Sequence, residues 1–379
     1  MKSSVLIKNC KPYFNLNSKI NVLVSEGKIL EVGEIEGKKC EIIDGSGLII
    51  SPGLIDVHIQ GAGGADILDN DEDKLMLMSN MLAKLGTTGF LATSVVKNNI
   101  NNEHLEKTKN LCNKSINGAT IFGIHLEGPF ININKKGGID AGSIYPFTKE
   151  KLNDILQITN SSLKMMTIAP ELPFSNLLIE MLRKNGVIPS LGHTEADYEQ
   201  TLNCFEKGIN HVTHLCNAMN PVKHREPGPI AAIVNNGNVT CQLISDGHHI
   251  HPGMIKFLYK SLGIDNIVLI TDGIQAMGLK DGRYVYNGRE YNSQNGAARY
   301  DDGTLIGSSF PLIKIVKKFI EFTGCSLAES ITAASLNPAK LLGISETKGS
   351  LEKGKDADII LFDELFEVKY TLINGKIIE

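Results

Sequence analysis

The segment Val187–Ala218, VIPSLGHTEADYEQTLNCFEKGINHVTHLCNA, decides how the chain is read. A short apolar run, Val187–Leu191, ends in Gly192-His193-Thr194. An amphipathic stretch follows over Glu195–Lys207. Ala196, Leu202 and Phe205 form its apolar side, leaving Asp197, Glu199, Gln200 and Glu206 for solvent. Gly208 closes it, where a left-handed residue ends a helix. A second apolar run, His211–Leu215, then gives way to Cys216-Asn217-Ala218. Strand, helix, strand, with polar residues at the strand ends, is the unit of a parallel β/α fold.

The same unit recurs on both sides. Apolar, β-branched runs lie at Leu54–Ile59, Thr88–Ala92, Thr120–Leu126, Lys164–Ile168, Thr240–Ile244 and Ile267–Ile270, making eight with the two above. Amphipathic stretches at Asp71–Leu85, Ser175–Asn185 and Pro252–Leu262 lie between them. Eight units predict a closed (β/α)8 TIM barrel rather than an open doubly wound sheet. Gly282–Gly303 reads as a β-hairpin insertion, followed by helices at Pro311–Thr323 and Leu327–Leu342. The two ends differ from the middle. Short strands at Val5–Ile7, Ile20–Val24, Lys28–Val32 and Ile42–Ile43 match others at Asp358–Phe362, Glu367–Ile373 and Lys376–Ile378, the last pair joined by an Asn374-Gly375 turn. We expect a small β-sandwich built from residues 1–50 and 346–379, flanking a barrel over 51–345.

Composition narrows the function. The 379 residues are 42% hydrophobic, enough for a large core, and carry a net charge of −4. That balance argues against a basic field for nucleic acid or an anionic membrane. Seven cysteines without a Cys-x-x-Cys pair suit neither a disulfide framework nor a thiolate zinc site. No window approaches a membrane span, and the N-terminal stretch lacks a signal-peptide core, so a cytoplasmic enzyme is expected.

The chemistry is concentrated at strand ends. Asp56-Val57-His58-Ile59-Gln60, His125-Leu126-Glu127, His193, His214, Asp246-Gly247-His248-His249 and Thr271-Asp272 all fall there. In a barrel they converge on the C-terminal face, where active sites sit. Glu127, His193 and His214 offer one carboxylate and two imidazoles, a common catalytic zinc set with a fourth position for water. Asp272 offers a further carboxylate to act on that water. His104, on a polar helix around Asn101–Ser115, reads as surface. The pairs Lys135-Lys136 and Lys317-Lys318 read as solvated faces, the former on the active-site side.

These residues carry a likeness. PGLIDVHIQGAGG (Pro52–Gly64), GIHLEGPF (Gly123–Phe130), GHTEADY (Gly192–Tyr198), THLCNAMNP (Thr213–Pro221), REPG (Arg225–Gly228), SDGHHIHP (Ser245–Pro252), LITDG (Leu269–Gly273) and GSLEKGKDADIILFD (Gly349–Asp363) resemble, in order, the motifs of the amidohydrolase superfamily. Within it the chain is similar to the N-acetylglucosamine-6-phosphate deacetylases. The resemblance implies hydrolysis of the N-acetyl group of the sugar phosphate. It implies one divalent metal, zinc, per subunit on Glu127, His193 and His214, with His58 facing it or a weaker second ion. Asp272 would be the catalytic acid/base. Asn217, Ala218, Arg225, His249 and the segment Leu305-Ile306-Gly307 would contact substrate. Arg225, one of only five arginines (183, 225, 283, 289 and 299), would reach the phosphate in the neighbouring subunit's site, making the enzyme a homodimer.

The chain departs from the superfamily at three points. The strand-one pair is His58-x-Gln60 instead of His-x-His. No lysine ends strand four. Ile139 stands where some relatives have a histidine. Three alternatives stay open: a deacetylase of a related sugar phosphate such as N-acetylgalactosamine 6-phosphate, a cyclic-amide hydrolase, and a non-catalytic scaffold on the same fold.

Overall fold

The computed structural model describes residues 4–35, 40–98, 101–286 and 288–378. Eight parallel strands form the central sheet: Leu54–Ile59, Thr87–Ser94, Thr120–Glu127, Leu163–Ile168, Ile188–Leu191, His211–Val212, Thr240–Ile244 and Ile267–Ile270, hydrogen-bonded in chain order. We number them one to eight. The eighth returns to the first at its C-terminal end. There the Asp272 amide donates to the His58 carbonyl at 3.0 Å, and the Gln60 amide to the Gly273 carbonyl at 2.8 Å. The buried Asp56 carboxylate adds a bond from the Thr271 hydroxyl at 2.6 Å. Closure of the barrel and placement of the strand-end side chains are therefore one feature.

The strands are buried along nearly their whole length, as expected where helices cover the outside and side chains fill the inside. An apolar cluster that includes Val57, Leu91, Phe122, Met165, Ile244 and Val268 draws on strands one to four, seven and eight and fills the interior. The covering helices are held by one apolar stripe each. In Leu312–Thr323 the stripe is Leu312, Ile315, Val316 and Phe319, all fully buried. Each such side chain contributes about 1.5–3 kcal/mol. This helix ends at Gly324, with φ at 78°. Lys318 on its other side is not merely solvated: its ammonium lies 4.9 Å from the centre of the Phe310 ring.

Strands from both termini form a second sheet, also of eight strands. Its organiser is Val5–Pro12, which changes partner midway. Val5–Lys8 pairs with Glu41–Asp44, and Lys11-Pro12 pairs with Ile49-Ile50. The break falls at Asn9, with φ at 61°. The sheet thereby wraps an apolar cluster that includes Val5, Ile7, Val22, Ile50, Leu361 and Leu372. Asn374 and Gly375 both take positive φ, as a two-residue hairpin turn requires. Gly53 passes the chain from this sheet into strand one, and a Cβ there would stand 2.1 Å from the Thr88 hydroxyl.

Several expectations need correction. The insertion after strand eight is no hairpin. It is a four-stranded antiparallel meander, Gly282–Tyr286, Arg289–Gln294, Ala297–Tyr300 and Leu305–Ser308. The segment expected as one helix to Leu342 is two, Leu327–Ala334 and Leu336–Leu341, broken at Ser335 with ψ at −66° and φ at −137°. The Glu195–Lys207 helix starts later, at Tyr198, because Asp197 and Gln200 form a capping box. Among the described residues no helix is long and apolar enough to cross a membrane. Among the described residues no two cysteines are joined in a disulfide.

His104 is also corrected: it is buried, not surface, and only 5% exposed. Its Nε2 donates to the Val95 carbonyl at 3.1 Å. Burial pushes its pKa down from 6.5 to about 4. Between those values the unfolded chain holds a proton that the native protein refuses. Stability should therefore fall as pH drops from 6.5 towards 4, with His104 contributing up to about 3 kcal/mol of the loss. His104→Gln should flatten the thermal midpoint against pH over that window. An unchanged slope would remove His104 from this role.

Candidate metal centre

The C-terminal ends of the strands surround a cavity of about 160 Å³ lined by Gln60, Glu127, His193, His214, Asn217, Ala218, His249 and Asp272. Gly137, Gly138 and Ile139, from the loop after strand three, and Tyr286, Leu305 and Ile306, from the meander, complete it. Turning side chains from strand ends into one point requires sharp backbone turns. His193, His214, Ala218 and Asp272 all have left-handed backbones, with φ at 49°, 28°, 51° and 50°. Each costs on the order of 1–3 kcal/mol for a non-glycine residue, and such strain gathers at functional sites. This also shortens strand six, expected to reach Leu215, to His211-Val212.

At the centre, Glu127 Oε1 lies 2.9 Å from His193 Nε2 and 3.0 Å from His214 Nε2, and the two Nε2 atoms are 3.0 Å apart. No other set of three such ligand atoms meets this closely among the described residues. His193 Nδ1–H donates to the Lys135 carbonyl at 2.6 Å, which fixes the ring and aims Nε2 at this point. Lys135, expected as a solvated charge, thus serves through its backbone. Two imidazole nitrogens and a carboxylate oxygen facing one point fit a divalent cation, and hydrogen bonds among themselves leave them poorly satisfied. Burial opposes ionisation of Glu127, but the imidazoles of His58, His193 and His214 win, holding its carboxyl well below the usual range.

His58 stands beside this trio. Its Nε2 is 3.3 Å from Asp272 Oδ1 and 3.6 Å from Glu127 Oε1, while Nδ1 donates to Gln242 Oε1 at 3.1 Å. Burial works against its protonation, yet the Glu127 and Asp272 carboxylates raise its pKa to about 9. Asp272 is partly buried; desolvation opposes its ionisation, but it is kept below its ordinary value chiefly by His58. It is ionised at neutral pH, the state a general base needs. On its other side His249 Nε2 is 3.7 Å from Asp272 Oδ2, and Asp246 accepts from His249 Nδ1 at 2.7 Å. Gly307 packs on the Asp272 backbone; a Cβ there would lie 2.7 Å from the Asp272 carbonyl oxygen.

The residues expected from sequence thus meet in one cavity, with three qualifications. His58 lies behind the cavity wall, fully buried. Gly307 supports Asp272 without lining the cavity. Arg225 is elsewhere, exposed on the loop after strand six, its Nη1 2.8 Å from His224 Nε2. It lines a separate surface cavity with Asp197, Lys223 and Glu226. Sequence reasoning missed Gln242 and Tyr286. Gln242 was visible as an amide inside an apolar strand; Tyr286 carried no such signal.

The amidohydrolase family profile matches residues 49–378. The chain belongs to the amidohydrolase family. An N-acetylglucosamine-6-phosphate deacetylase of Bacillus subtilis is 37% identical over 367 residues, covering 93% of this chain and 91% of its own. An N-acetylgalactosamine-6-phosphate deacetylase of Escherichia coli O157:H7 is 31% identical, covering 91% and 92%. The crystal structure of an N-acetylglucosamine-6-phosphate deacetylase from Pasteurella multocida matches with a TM-score of 0.91 at 27% identity, over 99% of both chains. Amidohydrolase membership explains why the polar clusters gather at one end of the barrel, and the two matched names set the choice of substrate.

Proposed function

We propose that the chain hydrolyses the N-acetyl group of N-acetyl-D-glucosamine 6-phosphate, giving D-glucosamine 6-phosphate and acetate. The observation that carries this is the convergence of Glu127, His193 and His214 within 3.0 Å beside an ionised, partly buried Asp272. Relatives bearing that activity in their names span nearly the whole chain.

Glu127, His193 and His214 would hold the cation, and zinc suits two imidazoles with one carboxylate. When bound, such a cation polarises the amide carbonyl and makes water acidic enough to attack at neutral pH. The proton is handled by this chain. Asp272 takes it from the attacking water and returns it to the sugar nitrogen as the C–N bond breaks, so the leaving group departs as an amine. His249, oriented by Asp246, presents Nε2 to the reacting group. Asn217, Ala218 and Leu305-Ile306 orient the sugar. Arg225 anchors the phosphate in the neighbouring subunit of a homodimer, its planar fork suited to two parallel hydrogen bonds.

The protein should contain one tightly held zinc per chain by elemental analysis. Exhaustive chelation should abolish acetate release, and zinc should restore it. Full activity in a metal-free sample would overturn the assignment. The substrate itself is tested by comparing acetate release from the two epimeric sugar 6-phosphates. The similarity to the E. coli O157:H7 galactosamine enzyme keeps the second epimer as the alternative reading. A higher kcat/KM for N-acetylgalactosamine 6-phosphate would select it.

A further inference from the structure

Beside the three-ligand centre lies a second set of atoms that a cation would take in exchange for the His58 Nε2 proton. His58 Nε2 is buried and makes no well-aligned hydrogen bond. It faces Asp272 Oδ1 and Glu127 Oε1 at 3.3 and 3.6 Å. An imidazole nitrogen and two carboxylates are what a second divalent cation requires. The group that stands against them is the Gln60 carboxamide. Its Nε2 lies 3.4 Å from both Glu127 Oε2 and Asp272 Oδ1.

A carboxamide has two faces, and which one it shows decides the outcome. With nitrogen inward it donates to the carboxylates and repels a cation; with oxygen inward it becomes a cation ligand. The selector is Tyr286, whose hydroxyl donates to Gln60 Oε1. Tyr286 is 9% exposed, packed in one cluster with Tyr291, Ala298 and Ile306 of the meander and Ile274 just after strand eight. Burial, with the carboxylates of Asp66 and Glu127 nearby, raises its pKa well above 10.0, so the phenol keeps its proton to donate. Turning the Gln60 oxygen inward would set its NH2 against that donor.

We propose that Tyr286 is a positioning residue that limits the centre to one cation, by locking the Gln60 carboxamide with its nitrogen towards Glu127 and Asp272. The inference deepens the metal reading above and rests on it. It gives the inserted meander a role in metal stoichiometry beyond lining the cavity.

The test is metal content, independent of turnover. Wild type, Tyr286→Phe, Gln60→His and Tyr300→Phe are dialysed against excess cobalt, then analysed for metal and for the visible absorption of bound cobalt. Phe keeps the Tyr286 ring in its cluster and removes only the hydroxyl. Tyr300 belongs to the same cluster and serves as the control. Wild type and Tyr300→Phe should hold one cation per chain, and Gln60→His two. Tyr286→Phe should take a second, with affinity roughly five- to tenfold above any residual binding in wild type, the value of one lost neutral hydrogen bond. If Tyr286→Phe is insoluble, Tyr286→Leu removes the same hydroxyl. One cation in the Tyr286 variant where Gln60→His holds two would overturn the lock. So would one cation in Gln60→His, because the place would then not be a cation site. A wild type that binds none would instead remove the metal reading beneath it, and two in wild type would show that Gln60 excludes nothing.

Discussion

Asp272→Asn should lower the turnover of acetate release by about 10²–10⁴-fold, the usual worth of a positioned acid–base group. In barrier terms that is about 3–5 kcal/mol. Asparagine fills the same space and keeps the oxygen that Gln60 Nε2 reaches at 3.4 Å in the wild type. It cannot take a proton and return it. The loss should fall on kcat, with KM within a few-fold, because the carboxylate acts on the reacting atoms and not on the sugar. Metal content should stay at the wild-type value, since the three-ligand set does not include Asp272. That pairing separates this role from a structural one. A variant that lost its metal would show Asp272 to be a ligand, and one with wild-type turnover would remove it from the chemistry. His249, 3.7 Å from Asp272 Oδ2, is a further titratable side chain lining the cavity beside Asp272. A small residual rate in Asp272→Asn that disappears in the double variant with His249→Asn would therefore identify the substitute base.

How much of this was legible in the sequence follows from which signals are local. Each barrel strand is a run of apolar residues ended by a polar cluster, so strands one, seven and eight lie where the pattern puts them. Strand six is the exception. Its ladder stops at Val212 because His214, Cys216 and Ala218 adopt positive φ, a conformation that residue type did not announce. Glu127, His193 and His214 were readable because each stands at or within two residues of the end of its strand. Arg225 was readable as a motif but not as a position, because its loop leaves its own barrel end. His104 was misread because its neighbours in sequence are polar, while its neighbour in space is the Val95 carbonyl at the end of another strand. Gln242 and Tyr286 act through side-chain orientation. Gln242 accepts from His58 with its oxygen and meets His211 Nε2 at 3.1 Å with its nitrogen, and no linear pattern encodes which way an amide faces.

Arg225→Ala should weaken binding of the phosphorylated sugar about ten- to a hundred-fold, as expected for a charge-assisted hydrogen bond worth ~1.5–3 kcal/mol. The unphosphorylated sugar offers this arginine nothing, so its KM should barely move. In its own protomer the Arg225 guanidinium is exposed and absent from the lining of the catalytic cavity. If it acts on phosphate at all, it acts across a subunit boundary. Its loop is built to stand clear: Lys223 and Glu226 pair with each other at 2.9 Å, and Val222 is 49% exposed. That geometry yields a test by complementation. Arg225→Ala chains keep Asp272, and Asp272→Asn chains keep Arg225. In a mixed dimer one site draws both intact residues, one from each chain, while the other site lacks both. Random assortment should restore roughly a quarter of wild-type activity at limiting phosphorylated substrate, from two parents that are each poor alone. No recovery on mixing, in a preparation shown to exchange subunits, would place Arg225 outside a shared site. Equal losses for the phosphorylated and unphosphorylated sugars would remove it from the phosphate altogether. A fully active monomer would dismiss the shared site without further mutation, because a single barrel leaves this arginine facing solvent.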